Sequence, residues 1–212
     1  MRSLCWTLLA AGISYLPALA ATGLMEDRSI RTRTLAFDCA RGQFTAILLL
    51  DNATILLADR GSTLQRVAGA AAETFADGVS RFWTDGATAT LSIPGAQLTD
   101  CRFNPQRAII VAGELRGAAW AVWDTRYRWG LLVLPAAGGG WIAELTEGQR
   151  RRIFGPLQPC PEGVPAPCWS AGDPWDMRLA AHGRRPDFEL RLRTAGGVET
   201  RSLALGRRLA GP

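Results

Sequence analysis

Residues 64–91 read LQRVAGAAAETFADGVSRFWTDGATATL, in which short apolar segments alternate with Asp-Gly pairs. The pairs Asp77-Gly78 and Asp85-Gly86 are typical of tight turns, because Asp accepts hydrogen bonds from its own turn and Gly adopts a positive φ at little cost. A segment that turns this often leaves no room for a long helix. The stretch therefore predicts short antiparallel strands.

The same pattern extends over residues 35–103, with a turn signal about every ten residues. The predicted strands are residues 35–39, 45–50, 54–58, 63–67, 81–84, 88–93 and 97–103. This spacing favours a compact antiparallel barrel or sandwich. The alanine-rich run 67–75 competes with it as a turn or two of helix, although Gly69 weakens that helix.

Composition limits the function classes that the chain can serve. It has 212 residues, 48% of them hydrophobic and 20% charged, which is enough to bury a core in one or two domains. All 24 basic residues are arginines, and His182 is the single histidine. This composition excludes a metal site with several histidines, a Schiff-base lysine and a phosphate-loop lysine.

The first 20 residues have the features of a secretory signal peptide. Arg2 precedes an apolar run over residues 4–19, and the small residues Ala18 and Ala20 mark a cleavage site. The run is short and lacks the basic flank of a permanent membrane helix. We therefore expect cleavage after Ala20 and a periplasmic or secreted protein that does not span the membrane.

Four cysteines remain after the leader, at positions Cys39, Cys101, Cys160 and Cys168. An even number in an oxidising compartment predicts two disulfides, for which three pairings exist. Sequence order favours the first with the second and the third with the fourth, since each pair brackets a self-contained segment. The competing interpretation, a zinc site made of four thiolates, lacks a close Cys-x-x-Cys pair.

Residues 104–212 form a predicted second module that is also β-rich. Its predicted strands are residues 108–112, 118–123, 128–134, 141–145, 175–180, 188–193 and 198–209. The proline-dense stretch 156–174 holds both late cysteines and predicts an irregular loop clipped by a disulfide. This module carries 15 Arg against ten Asp and Glu, whereas residues 35–103 carry five against seven. A basic module therefore follows a mildly acidic one.

A more specific pattern lies in the first module. It consists of Phe75, Asp77, Gly78, Phe82, Trp83, Thr84, Gly86, Ala89, Thr90, Leu91 and the bracketing Cys39 and Cys101. These residues and their spacing resemble the membrane-bound and periplasmic inhibitors of c-type lysozyme, the MliC-like family. The resemblance covers about residues 35–103, a third of the chain.

The resemblance implies a small, eight-stranded antiparallel barrel whose first and last strands are joined by a disulfide between Cys39 and Cys101. Closing a short sheet removes its exposed edges, and a cross-link suits a domain with a small core. Phe82 and Trp83 then alternate faces of their strand, and Trp83 is interpreted as a core anchor without a ligand role. Gly86 is interpreted as a turn residue.

Inhibitors of this family send a loop into the lysozyme cleft, where a serine and a lysine engage the two catalytic carboxyl groups. The serine, from the loop after the fourth strand, falls on Ala71, and the lysine of the Trp-Thr-Lys-Gly turn falls on Asp85. Neither side chain is retained. Arg66 and Arg81 are the candidate replacements, because a guanidinium can bind a carboxylate with two hydrogen bonds.

The acidic residues of the same region support a different contact. Glu73, Asp77 and Asp85 are interpreted as a cluster that can meet the arginine-rich outer surface of a basic lysozyme. Each of them, and each of the two candidate arginines, also fits an ordinary solvated strand or turn position.

These observations predict a noncovalent inhibitor of c-type lysozyme in the bacterial envelope, without catalysis, cofactor, metal or nucleic-acid partner. The alternative is an envelope module that binds peptidoglycan or an anionic glycan, since Trp123 and Trp129 can stack on sugar rings and Arg126 lies near them in sequence. A third interpretation, a glycosidase, requires facing carboxylates such as Asp173 and Asp176.

Overall fold

The computed structural model of the protein describes residues 32–58, 60–70, 72–148, 150–160, 166–172, 176–182 and 187–209. The predicted leader (residues 1–20), Ala71 and Asp173 lie outside these ranges. No helix among the described residues is both long and apolar enough to cross a bilayer.

The described ranges contain seventeen strands and one α-helix. The elements of the first module are β1 (Arg33–Cys39), β2 (Gly42–Leu48), β3 (Asn52–Leu57), β4 (Arg60–Arg66), β5 (Glu73–Ala76), β6 (Arg81–Thr84), β7 (Thr88–Ile93) and β8 (Ala96–Phe103). Those of the second module are α1 (Pro105–Leu115), β9 (Trp120–Asp124), β10 (Gly130–Pro135), β11 (Trp141–Glu147), β12 (Arg150–Phe154), β13 (Gln158–Pro159), β14 (Cys168–Ala171), β15 (Met177–His182), β16 (Asp187–Thr194) and β17 (Gly197–Arg208).

The first eight strands form a closed antiparallel barrel, as predicted. Each strand pairs with the next, and β8 returns to β1 through Phe37 opposite Phe103 and Asp38 opposite Arg102. A disulfide joins Cys39 to Cys101 directly beside this seam. A second disulfide joins Cys160 to Cys168, so both favoured pairings are confirmed and the four-thiolate zinc site is ruled out.

Residues 73–76 form a strand, β5, that the sequence analysis did not assign, and the helix considered for residues 67–75 is wrong. Each of the two neighbouring strands pairs with β5, for example through Thr74 opposite Trp83. The alanine-rich composition favours a helix locally, but the barrel needs an eighth strand to close. Pairing on both sides outweighs the local preference.

The barrel core is built from four phenylalanine rings. Phe37 stacks on Phe44 with ring centroids 5.2 Å apart, and Phe75 stacks on Phe82 at 5.9 Å. Burying a ring of this size stabilises the fold by roughly 2 kcal/mol. Trp83 points to the opposite face of β6, is only partly buried, and does not belong to the core, which corrects its interpretation as a core anchor.

The predicted strand at residues 108–112 is wrong, because these residues lie in the helix α1. Asn104 caps the helix by accepting a hydrogen bond from the backbone N–H of Arg107 at 2.9 Å, and Pro105 occupies the first turn. A short apolar run fits a strand or a helix equally well. Asn104 and Pro105, which open the predicted second module, follow the last barrel strand and start this helix.

The nine strands β9 to β17 form one antiparallel sheet in the order β12-β11-β10-β9-β17-β16-β15-β14-β13. Its edge strands β12 and β13 are joined by residues 155–157 alone, so the sheet has to curl until its edges approach each other. The inner side holds the larger core, while α1 covers the other side over β9 and β10. The second module is thus β-rich, as predicted, and part of the proline-dense stretch belongs to its edge.

Arg107 of α1 links the second module to the barrel. Its guanidinium donates to the carbonyl of Phe37 at 2.9 Å, to the carbonyl of Phe44, and to the side chains of Asp38 and Gln43, both at 2.5 Å. The side chain is 19% exposed, so these bonds replace most of its hydration. The helix is therefore anchored on the β1–β2 hairpin next to the closure seam.

We expect the two disulfides to contribute unequally to stability. Changing Cys39→Ser with Cys101→Ser should lower the free energy of unfolding by about 4 kcal/mol, because the bond spans a sequence separation of 62. Changing Cys160→Ser with Cys168→Ser removes a separation of only 8 and should cost about 2.5 kcal/mol. Urea denaturation, followed by circular dichroism, measures both. Equal losses would contradict the loop-closure explanation.

Arg107→Ala should lower the free energy of unfolding by about 2 kcal/mol, because two barrel carbonyls and the Asp38 carboxylate lose their donor. Arg102→Ala is the matched control, since Arg102 is exposed on β8 of the same barrel. It should change stability by less than about 0.5 kcal/mol. Urea titrations compare the two variants, and equal effects would show that Arg107 does not brace the junction.

Candidate functional site

The alternating strand directions sort the turns of the barrel into two ends. The turns at residues 49–51, 67–70 and 85–87 share one end, which we call the tip. The turns at residues 40–41 and 94–95, together with residues 77–80, share the opposite end. The resemblance places the inhibitory contact at the tip, where Asp85 lies and where the sequence position of Ala71, outside the described residues, also falls.

Asp85 caps its own turn. One carboxylate oxygen accepts from the backbone N–H groups of Ala87 at 2.8 Å and Thr88 at 2.6 Å, and the other accepts from the Thr88 hydroxyl at 3.0 Å. Gly86 adopts a φ of +92°, as expected for a turn residue. The backbone hydrogen bonds from Thr88 and Ala87 lower the pKa of Asp85, so the tip carries a fixed negative charge here.

A second charge cluster lies beside this turn. Glu73 accepts from Arg33 at 3.0 and 3.1 Å and from Arg66 at 3.3 Å. The Nε of Arg66 also donates to the carbonyl of Leu50 at 2.7 Å, and its guanidinium lies 4.9 Å from the Phe75 ring centre. Two guanidinium groups thus share one carboxylate, which leaves this cluster with a net charge of +1 and Arg66 in a fixed position.

Arg33 was missed by the sequence analysis, because it lies 40 residues from Glu73 and before the predicted start of β1. No local pattern indicates such a contact. The contact arises because β1 extends beyond the end of β8 toward the tip. Asn104, the residue after β8, bonds the carbonyl of Ala36, so the residues of β1 before Ala36 continue past the closure seam.

The structure separates the predicted acidic cluster. Glu73 lies at the tip, paired across the strands with Thr84 and hence next to Asp85. Asp77 lies at the opposite end, where it accepts from the backbone N–H groups of Ser80 at 2.7 Å and Val79 at 3.1 Å. These backbone bonds, led by that from Ser80, lower the pKa of Asp77. Asp77 therefore caps a different turn.

The two candidate arginines are separated in the same way. Arg66 ends β4 at the tip, whereas Arg81 begins β6 near the opposite end, on the outer face of the barrel. The tip thus combines Arg66 with two exposed aliphatic side chains, Leu50 (66% exposed) and Val67 (42% exposed). Leu50 and Val67 are neighbours, because Arg66 directly precedes Val67 and bonds the segment that holds Leu50. Its Nε donates to the carbonyl of Leu50, and its backbone N–H donates to the carbonyl of Asp51.

Five tryptophans of the second module lie in the described residues. Trp123 and Trp129 are 3% and 6% exposed. Trp120, Trp141 and Trp169 are partly buried and pack against the larger core. The two residues proposed for stacking, Trp123 and Trp129, therefore offer no ring face to a sugar. Asp176 is exposed, and its suggested partner Asp173 lies outside the described residues, so the glycosidase interpretation stays a prediction.

The fold and this geometry define a disulfide-braced all-β protein in which a closed eight-stranded barrel precedes a curled β-module. Comparison of the chain with protein-family models, curated proteins and solved structures gave no match.

The turn at Asp85 should make barrel stability depend on pH. Its folded-state pKa lies below the ordinary pKa of an aspartate, so its stabilising effect is present above that ordinary pKa and is lost as the pH falls through the folded-state pKa. Asp85→Asn should therefore lose less stability between pH 5 and pH 2 than the natural protein. Urea midpoints at both pH values test this.

Asp100→Asn is the control for this experiment. It removes the same charge from an exposed carboxylate on β8 that accepts only from the Thr99 hydroxyl among the bonds of the described residues. The natural protein and Asp100→Asn should show similar pH dependence. An Asp85→Asn profile that coincides with theirs would contradict the role of the Asp85 turn.

Proposed function

We propose that the protein binds c-type lysozyme noncovalently through the tip of its barrel and obstructs the catalytic cleft. The observation that supports this proposal is the closed eight-stranded barrel with its Cys39–Cys101 bond, which carries the residue pattern of the inhibitor family on the expected elements. The two turns that the family uses belong to one end of this barrel. The proposed action needs neither catalysis nor a cofactor.

The charge at the tip suits the cleft if the arginines, and not Asp85, face it. The lysozyme cleft contains one ionised and one protonated carboxyl group. A like-charge contact of Asp85 with a carboxylate at about 4 Å would cost about 4 kcal/mol at an effective dielectric constant of about 20. A contact from Arg66 gains a similar amount, so the tip should bind with Arg66 forward and Asp85 aside.

Arg66 can make this contact at a small cost. Its bond to Glu73 is long, at 3.3 Å, and Arg33 already supplies that carboxylate with two shorter bonds. Surface ion pairs of this kind contribute only about 0–1 kcal/mol. The bond from Nε to Leu50 holds the guanidinium in place, and of its two terminal nitrogens only Nη2 bonds Glu73, so Nη1 stays available to a partner carboxylate. The exposed Leu50 and Val67 add apolar contact area.

The glycan-binding alternative loses the feature that motivated it in the second module, because Trp123 and Trp129 are buried there. Binding of lysozyme through a single acidic cluster, which the sequence suggested, is also disfavoured. Asp77 and Asp85 lie at opposite ends of the barrel, and each caps its own turn. Export to the bacterial envelope, where a muramidase is encountered, is part of this proposal.

A cell-wall lysis assay tests the proposal. The mature protein should slow the clearing of a cell-wall suspension by c-type lysozyme, and Arg66→Ala should weaken inhibition at least about tenfold. Arg41→Ala is the matched control, because Arg41 is exposed in the turn at the opposite end. It should inhibit as the natural protein does.

The double variant Ala71→Ser with Asp85→Lys restores the two family side chains and should inhibit more strongly than the natural protein. Inhibition by this variant alone would refute the proposed function of the natural protein while leaving its fold unaffected. Equal inhibition by Arg66→Ala and Arg41→Ala would refute the role of Arg66.

A further inference from the structure

A groove of about 230 Å³, open to solvent, lies on the outer face of β6, β7 and β8. It is lined by the side chains of Arg81, Thr90, Ser92, Gln97 and Thr99, with Leu91 and Leu98 at its base. Strand pairing accounts for this arrangement, since Arg81 lies opposite Ser92 and Ser92 lies opposite Gln97. The groove runs along the side of the barrel and contains no residue of the tip.

A β-bulge shapes this face. Ala89 pairs with Cys101, and Leu91 pairs with Leu98, so two residues of β8 stand opposite the single residue Thr90. The two residues opposite Thr90 are Thr99 and Asp100, which are both exposed, and Asp100 adopts a φ of +53°. A bulge of this kind bends its strand and redirects side chains. It therefore opens the outer face at the point where the groove lies.

Arg81 differs from the arginines of the tip in its charge balance. Arg33 and Arg66 bond Glu73, whereas no carboxylate of the described residues forms a salt bridge with Arg81. Arg81 is exposed and presents a planar fork of donors next to the hydroxyl of Ser92. It therefore offers an unneutralised site for a carboxylate or another oxyanion.

Trp83 adds an aromatic side chain to the same face. It lies two residues after Arg81 on β6, which separates their Cα atoms by about 7 Å along the strand. It pairs with the groove residue Thr90, is partly exposed, and belongs to none of the core clusters. The flat apolar face of an indole can stack on one face of a sugar ring.

We propose that this face binds a saccharide that carries a carboxylate. In this arrangement Trp83 stacks on the sugar ring, Arg81 binds the carboxylate, and the hydroxyl and amide groups of Thr90, Ser92 and Gln97 bond the ring hydroxyls. The aromatic residue favours a sugar over a simple inorganic anion. The site is separate from the tip, so the proposal does not depend on lysozyme binding.

Two sugars that differ in one carboxylate provide the test. N-acetylmuramic acid equals N-acetylglucosamine with an added lactyl carboxylate, and each is titrated into the ¹⁵N-labelled mature protein while amide shifts are recorded. The acid should bind at least about tenfold more tightly and should shift amides of β6, β7 and β8. Arg81→Ala should reduce its affinity to that of the neutral sugar. Trp83→Leu should weaken the binding of both sugars.

Arg102→Ala is the matched control, because Arg102 is exposed on β8 and does not line the groove. It should bind both sugars as the natural protein does. Arg81→Lys keeps the charge but loses the fork, and should retain an intermediate affinity. Circular dichroism confirms that each variant is folded.

Three outcomes would overturn the proposal: equal affinity for the two sugars, unchanged affinity of Arg81→Ala for the acid, or shifts confined to residues outside β6, β7 and β8. Displacement of the acid by an equal concentration of inorganic phosphate would also overturn it, because the groove would then be a general anion site. Lysozyme inhibition, measured in parallel on Arg66→Ala, reports on the tip alone.

Discussion

Closure of the barrel is the constraint on which the other features of the molecule depend. The seam between β1 and β8 contains only two residue pairs, Phe37 with Phe103 and Asp38 with Arg102. A seam this short gains little from its own hydrogen bonds, and three further contacts surround it. The Cys39–Cys101 bond lies beside it, the N–H of Asn104 bonds the carbonyl of Ala36 at 2.8 Å, and α1 is anchored there by Arg107. Closure decides which turns share the tip and which strands form the groove.

A chain without lysine makes its ion pairs with guanidinium groups, and in several of them two arginines share one glutamate. Arg33 and Arg66 share Glu73 at the tip, and Arg116 and Arg151 share Glu144 in the second module. Burial works to raise the pKa of Glu144, but the hydrogen bonds from both arginines outweigh it, so the pKa is lowered and the carboxylate stays ionised. These bonds tie the end of α1 to the edge strand β12, so Arg116 and Arg151 have a structural role.

Sequence patterns predicted the features that rest on local chemistry. The Asp-Gly turns and the alternation around Phe82 follow from residues close together in the chain, and the disulfide pairing follows from the order of the four cysteines. The helix α1 could not be separated from a strand, because its apolar run is short and its cap resembled a linker. The contact of Arg33 with Glu73 and the bulge at Asp100 could not be predicted either, since both depend on strand register in the closed barrel. The candidate site was therefore predictable in its turns and not in its charges.

The position of Asp85 shows why a scaffold and its binding residues can change separately. A lysine there contributes nothing to the turn itself, whereas the aspartate accepts three hydrogen bonds from it. The aspartate therefore stabilises its turn and adds a negative charge to the tip. Beside it, Arg33 and Arg66 share the single carboxylate of Glu73, which leaves one positive charge on that cluster. Asp51 and Asp85 outweigh this charge over the tip as a whole, so the charge that a partner meets depends on which group faces it and not on the sum. One barrel fold can therefore carry different binding residues at the same end.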